Sequence, residues 1–313
     1  MNFLNCFLLF PYAIQINVKF FFMKKYFLLS FSFILMGCQQ ESNSLTPLFS
    51  FPNKLKEVSG ITYVPSANLL WVLEDRGNPN AIYSINSNGK IENTLTISNT
   101  DNIDWEDITK DKEGNLYIGD FGNNDNERKD LSIYKIDKNA LQSKSATPVY
   151  KISFTYPEHK DFPPKKSEMF YDVEGFFEFK DNFYLFTKNR SKGFDGTAFL
   201  YKIPNAPGVH LAVLMGKFET CTVYNSCAIT SATISPNDEK VAILTHDKLF
   251  LFENFKNDDF LNGTKTVLEL NHFSQKEAAC FKDNDRLFLA DERTKSIGGN
   301  VYNVSLKMLK SKS

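Results

Sequence analysis

From residue 46 onward the chain alternates short apolar runs with turns rich in Asn, Asp, Gly and Pro. Five segments share one pattern, in which an acid or small polar residue leads into an apolar strand, a turn, a second strand ending in an acid or Thr, and a third strand holding Tyr or Phe. They read "EVSGITYVPSANLLWVLEDRG…NAIYSIN", "DWEDITKDKEGNLYIGDFG…LSIYKID", "DVEGFFEFKDNFYLFTKN…AFLYKIP", "ITSATISPNDEKVAILTHDKLFLFEN" and "KEAACFKDNDRLFLADERT…NVYNVSL". The turns "PSANL", "KEGN", "KDN", "PNDEK" and "KDNDR" suit tight hairpins. A weaker fourth strand follows most units, in "NTLTIS", "VYKISFTY", "HLAVLMGKF" and "TVLEL". The fifth unit lacks one after Leu306, while "TPLFSF" stands unpaired ahead of the first.

This pattern predicts an all-β chain: a β-propeller of four-stranded blades, closed by an N-terminal strand that completes the last blade. Strands apolar on both sides fit blades packed face to face, and closure removes the free sheet edge. The equivalent positions Ser59, Glu106, Glu174, Ser231 and Glu277 are 47, 68, 57 and 46 residues apart, near the ~40 to 50 of a blade, with insertions in the second and third units. Five blades is the direct count. A sixth has room in the Pro-rich stretch 137–170. The propeller is expected over residues 46–307, with a short tail at 308–313. A two-sheet sandwich would not generate so regular a repeat.

The first 37 residues belong to a different class of sequence. From Met23, "MKKYFLLSFSFILMGCQQ" has two lysines, an apolar run too short to span a bilayer, and a small residue before a cysteine, the parts of a secretory signal. The ending Leu35-Met36-Gly37-Cys38 resembles the lipobox of bacterial lipoproteins, which implies diacylation of Cys38 as the new N-terminus. A plain signal peptide or a membrane helix with an incidental cysteine is the alternative. Residues 1–22 lie upstream of a complete signal, which points to Met23 as the true start. Residues 38–45 then read as a lipidated tether. The expected setting is a bacterial envelope, at the outer membrane, with the domain held there by its acyl chains.

The mature chain from Cys38 has about 276 residues, enough for one large domain. A formal net charge of −1 gives no reason to expect nucleic acid as a partner. Nothing points to a state other than monomer, and a small ligand or an envelope protein is the partner class left open. In an oxidising compartment Cys221 and Cys227, flanking "CTVYNSC", are expected to pair. Cys280 reads as a buried small hydrophobe.

A ring converts a column of the repeat into a cluster in space. Glu106, Glu174 and Glu277 share one column, completed by Ser59 and Ser231. The ends of the second strands give Glu74, Asp120, Thr187, Thr245 and Asp291. Next to them lie Asp75, Lys188, His246 and Glu292, then Arg76, Asn189, Asp247 and Arg293. One channel mouth is therefore expected to be acidic, and three glutamates aimed at one axis need positive compensation. Ca²⁺ held by Glu106, Glu174 and Glu277 would supply it, being a hard ion that prefers oxygen ligands. Neutralisation by Arg76, Lys188 and Arg293, or a water-filled channel, would serve equally. "GDFGNN" offers further oxygens on Asp120, Asn123 and Asn124. The four histidines stand singly and suit surface or loop roles, so a transition-metal site is not expected.

"SGITY…LLWVLEDRG", "DWEDITKDKEGNLYIGDFGNN", "VEGFFEF" and "EAACF…LFLADE" together resemble the SdiA-regulated and phytase-esterase-like propeller families of bacteria, over most of residues 55–306. The acid-Gly start of the inner strands is also similar to gluconolactonase-like and paraoxonase-like propellers; there the resemblance implies a channel calcium, carried onto Glu106, Glu174 and Glu277 only. Two functions follow. One is a lipid-anchored module that binds an ion, small ligand or protein at the acidic mouth without turnover, since no Gly-x-Ser-x-Gly elbow or phosphate-cradling loop occurs. The other is a calcium-dependent hydrolase of an ester, lactone or phosphate, with Asp120, Asp291 or His246 as base and Arg76, Lys188 and Arg293 binding an anionic substrate. A purely structural envelope role is the remaining class.

Overall fold

Among the described residues, five sheets of four or five strands follow one another along the chain, beside one two-stranded ribbon. Their innermost strands are Val58–Val64, Trp105–Lys110, Asp172–Glu178, Ser231–Ile234 and Lys276–Phe281. Each inner strand contacts those of both neighbouring sheets, the first touching the last, so the ring is closed. The protein is a five-bladed β-propeller, seen in a computed structural model that describes residues 45–311. The expected signal region, Cys38 and nearly all of the tether lie outside the described residues. Among the described residues no helix is long and apolar enough to cross a membrane.

Why the strands are apolar on both sides is visible in the core, which divides into five clusters, one at each blade–blade seam. In the second strand of blade 2, Leu116 and Ile118 face blade 1 while Tyr117 faces blade 3. The two-residue alternation of a strand thus feeds both seams at once. The phenylalanines concentrate at two of these seams. Phe121, Phe154, Phe176 and Phe183 fill that between blades 2 and 3, and Phe177, Phe186, Phe250 and Phe252 that between blades 3 and 4. Each such ring contributes about 1.5–3 kcal/mol by burial.

Pro47–Ser50 pairs antiparallel with Asn300–Ser305, completing blade 5 with the start of the described chain. Among the described residues no sixth blade occurs: the stretch 137–170 supplies a short 3-10 turn and the fourth strand of blade 2, Tyr150–Thr155. Two departures from the repeat stitch blades together. Ser145–Ala146 lies parallel to the outer strand of blade 1, and Gly208–Leu211 lies parallel to the outer strand of blade 2. The apolar run "HLAVLMGKF" is therefore split between blades: only Val213–Glu219 belongs to blade 3, with buried Ala212 at the crossing. The expected tail is also partly folded, since the helix Leu306–Lys310 buries Leu306 and Leu309 against the seam of blades 4 and 5.

Four of the five inner strands carry a β-bulge, at Ser59, Glu106, Glu174 and Glu277. A bulge leaves one residue out of the ladder and re-aims its side chain. The glycine that follows in blades 1 and 3 serves the close packing of inner strands. A Cβ on Gly60 would lie 2.7 Å from the Asp107 Cα, and one on Gly175 would overlap the Ala232 backbone nitrogen.

Candidate functional site

The bulges gather their side chains at one mouth of the channel. There Ser59, Asp75, Glu106, Asn124, Glu174, Lys188, Arg190, Glu277 and Glu292 line a cavity of about 80 Å³. Of the residues expected from the sequence, Glu106, Glu174, Glu277, Lys188 and, through Glu277, His246 are brought together. The exposed Arg76 reaches the rim, 3.8 Å from Asp104.

The other predicted residues sit elsewhere. Asp120 and Asp291 stand opposite Trp105 and Lys276, in register, one residue short of the bulge. Their carboxylates turn into the blade: Asp120 accepts from the Asp104 amide and pairs with Arg128 at 2.9 Å, and Asp291 accepts from Tyr302 and the Asn300 amide. The whole second-strand column has this structural role, Glu74 accepting from the Lys56 amide and Thr187 from Phe199. The next residue along faces the mouth, which is why Asp75, Lys188 and Glu292 line it. Arg293 is absent from the mouth; its guanidinium holds the Phe51 carbonyl at 2.9 Å, fastening the closing segment. Ser231, lacking a bulge, does not complete the glutamate column.

Ser231 instead joins a buried relay on the axis. The carboxylate of Asp107 accepts from the Ile108 and Phe176 amides at 2.8 and 3.3 Å and lies 3.5 Å from the Ser231 hydroxyl. The Ser231 oxygen in turn accepts from the Ala279 amide at 3.2 Å. The two side chains thereby link blades 2, 3, 4 and 5. Burial drives the Asp107 carboxyl far above the ordinary range, more than these donors lower it, which favours its protonated form.

The acids at the mouth divide into two halves. On one side every carboxylate has a cation. Arg190 donates to Asp172 at 2.5 Å and to Glu174 at 2.7 Å, and Lys188 reaches Glu174 at 3.0 Å. His246 bridges Glu277 at 3.1 Å and the Asn225 carbonyl at 2.8 Å. Burial pushes Glu277 up, but Lys188 and His246 outweigh it and hold the carboxyl below its usual value. Burial lifts Glu174 to about 8 against the pull of Lys188 and Arg190.

On the other side Asp75, Asp104 and Glu106 bring carboxylate oxygens within 4.8 Å of one another. Here compensation is thinner: among the described residues the one ion pair is that of the exposed Arg76 with Asp104 at 3.8 Å. The Asp104 Oδ1 atom is buried without a hydrogen-bond partner. Glu106 is only 7% exposed, and among the described residues no donor pairs with it. Burial first, then Asp75, raises Asp104 to about 7, and burial with Glu174 drives Glu106 well above its usual range. Burial also lifts Glu292, facing Glu277 and Asp75, to about 8. A second three-carboxylate group, Glu106, Asp172 and Glu174, shares Glu106 with the first. Glu277 falls in neither group, although it lines the same cavity as Glu106 and Glu174.

No family profile and no curated protein matches the chain. Its likeness is to solved propeller-scale structures. The PQQ-bound aldose sugar dehydrogenase of Streptomyces coelicolor is 11% identical, with 84% of this chain and 98% of that one covered and a TM-score of 0.48. A chain of a nidogen/laminin complex is 12% identical over 81% and 78%, at 0.47. A catalytically inactive virginiamycin B lyase from Staphylococcus aureus is 15% identical over 79% and 64%, at 0.36. At such identities and TM-scores the likenesses assign nothing to the site.

Sequence reasoning missed Asp104, Asp172, Arg190 and the axial role of Asp107. A signal for two of them exists. Asp104-Trp105-Glu106 and Asp172-Val173-Glu174 are the same acid-x-Glu step two residues ahead of each bulge. Asn123, in contrast to expectation, spends its side chain on the Arg128 amide and the Tyr171 carbonyl, while Asn124 does line the mouth and accepts from Arg190. His159 is buried, stacked on Tyr171 at 4.1 Å, and is no surface histidine. Cys221 and Cys227 are joined as a disulfide with a Cα–Cα distance of 5.4 Å, and Cys280 is buried.

Proposed function

We propose that this protein is an envelope-anchored propeller whose acidic mouth binds one divalent cation of the calcium class, through Asp75, Asp104 and Glu106. The observation that carries the reading is the buried Asp104 Oδ1 atom, which has no hydrogen-bond partner, beside the buried Glu106 carboxylate. Two or three ionised carboxylates at ~5 Å repel by about 3 kcal/mol per pair at an effective dielectric near 20, and a hard cation removes that repulsion with the oxygen donors it prefers. The cavity of about 80 Å³ suits an ion with a few waters; organic ligands occupy roughly 300–1,000 Å³.

The hydrolase reading is less well supported, because its bases are engaged. Asp120 is tied to Arg128, Asp291 to Tyr302, and His246 to Glu277 and Asn225. The resemblance to the SdiA-regulated and phytase-esterase-like propellers favours no particular reaction. Anchoring rests on the Leu35-Met36-Gly37-Cys38 motif; a Cys38→Ser chain released into the soluble envelope fraction would support it, and one retained at the membrane would count against it. For the site, calorimetric titration of the mature Cys38→Ser chain with CaCl₂ tests the proposal. One ion per chain is expected, lost in Glu106→Gln; no binding at millimolar calcium would end it.

A further inference from the structure

Arg190 occupies an unusual position for an arginine. Its Nε and one terminal nitrogen donate to Asp172 and Glu174, and the latter nitrogen also meets the Asn124 amide oxygen. The other terminal nitrogen donates to the Tyr224 hydroxyl at 2.9 Å. The guanidinium therefore sits where the second carboxylate group, Glu106, Asp172 and Glu174, would hold a free cation. Burial works against its charge, but Asp172 and Glu174 outweigh burial and keep it protonated.

Tyr224 is held in turn. It begins the four-residue helix Tyr224–Cys227 inside the loop closed by the Cys221–Cys227 disulfide. The loop is pinned where the Thr220 amide meets the Gly196 carbonyl at 2.9 Å. A Cβ on Gly196 would overlap the Cys221 carbonyl, so the two segments are in close contact. The Phe194 ring meets Tyr224 edge-on at 5.2 Å. The same loop presents the Asn225 carbonyl to His246. Arg190 and His246, two of the three basic side chains of the paired half, are thus aimed by one braced loop.

We propose that Arg190 is a built-in counter-cation, clamped by the disulfide-closed Tyr224 loop, that fills a latent second cation site and restricts the mouth to one exchangeable ion. This rests on the cation reading above, since it concerns the half of the mouth that reading leaves paired. Replacing the guanidinium by an apolar side chain of similar length releases Asp172 from its ion pair and leaves Glu174 with Lys188 alone; with Glu106 these two then offer oxygens for a cation, as Asp75, Asp104 and Glu106 do.

Equilibrium dialysis of radiolabelled calcium against the mature Cys38→Ser chain and its Arg190→Met variant reads the stoichiometry directly. One ion per wild-type chain and two per variant chain are expected, with calcium raising the melting temperature of the variant more than that of the wild type. One ion in each refutes the counter-cation role and leaves the first site standing. None in the wild type and one in the variant refutes the first site and supports this one. If Arg190→Met does not fold, Tyr224→Phe in a Cys221→Ser, Cys227→Ser background decides. It keeps every mouth charge but loosens the clamp, and a second, weaker ion is expected at millimolar calcium; its absence overturns the proposal.

Discussion

Cation binding at the mouth is expected to depend steeply on pH. Burial and Asp75 place the Asp104 carboxyl at about 7, and Glu106 also lies above its ordinary value. A raised acid favours the protonated folded state, so its contribution to stability is complete below the usual carboxylate range and is lost as pH rises through the folded value. The cation-free propeller should therefore weaken between about pH 4 and pH 7 on account of Asp104. A divalent ion must displace those protons, so it binds best where they have already left. For a Kd on the order of 10 μM near pH 8, a cation at about 1 mM stabilises by about 2.7 kcal/mol. At roughly 2–4 °C per kcal/mol for a chain of this size, the melting temperature rises by about 5–10 °C. Near pH 5 the Asp104 proton alone weakens binding about 100-fold, which leaves about 0.4 kcal/mol and a shift of about 1 °C. Scanning calorimetry with calcium and with EDTA at both pH values measures this. Equal shifts at the two pH values, or an Asp104→Asn variant that responds like the wild type, would refute the reasoning.

Three further outcomes test the scaffold. Because burial on the axis raises the Asp107 carboxyl far above its usual range and so favours the protonated form, Asp107→Asn should cost under about 1 kcal/mol while Asp107→Ala, which strands the Phe176 amide and the Ser231 hydroxyl, should cost about 2–4 kcal/mol; equal losses in urea unfolding would contradict a protonated carboxyl. Gly175→Ala, with its Cβ driven into the Ala232 backbone, should destabilise by about 3 kcal/mol or more, and a melting temperature within a degree of wild type would mean the inner strands are not so closely packed. Removal of residues 45–50 exposes the Asn300–Ser305 edge that Pro47–Ser50 covers, and light scattering should then show association; a stable monomer would argue against edge protection.

Much of the fold could be read from the sequence because the repeat is a backbone property. Each blade needs the same hairpins and the same two-faced strands, so Leu116, Tyr117 and Ile118 announce both seams at once. The parallel strands Ser145–Ala146 and Gly208–Leu211 were not legible, since each pairs with a blade that its own stretch of chain has already left. In the site, the column of Glu106, Glu174 and Glu277 was found because a bulge repeats with the blade. Which of them would be paired was not, because that depends on Arg190 and Tyr224, two residues with no counterpart in the other units. Arg293, similar in the repeat to Arg76, went to the Phe51 carbonyl because only blade 5 has a closing segment to hold.

The break in the repeat at blade 4 explains the asymmetry of the mouth. There the inner strand runs without a bulge, and Ser231 turns inward to Asp107 and the Ala279 amide. Blade 4 consequently sends no carboxylate from its inner strand to the mouth. The residues that lead into this strand are those of the Cys221–Cys227 loop, which supplies the Tyr224 hydroxyl and the Asn225 carbonyl instead. Two neutral acceptors, placed where another acid would add repulsion, orient Arg190 and His246 toward Asp172, Glu174 and Glu277. The positive charge of the mouth is thereby concentrated on the side of blades 3 to 5. Asp75, Asp104 and Glu106, supplied by blades 1 and 2 across the channel, have the exposed Arg76 beside Asp104 but no buried guanidinium like that of Arg190 among them, and a free cation would take that place.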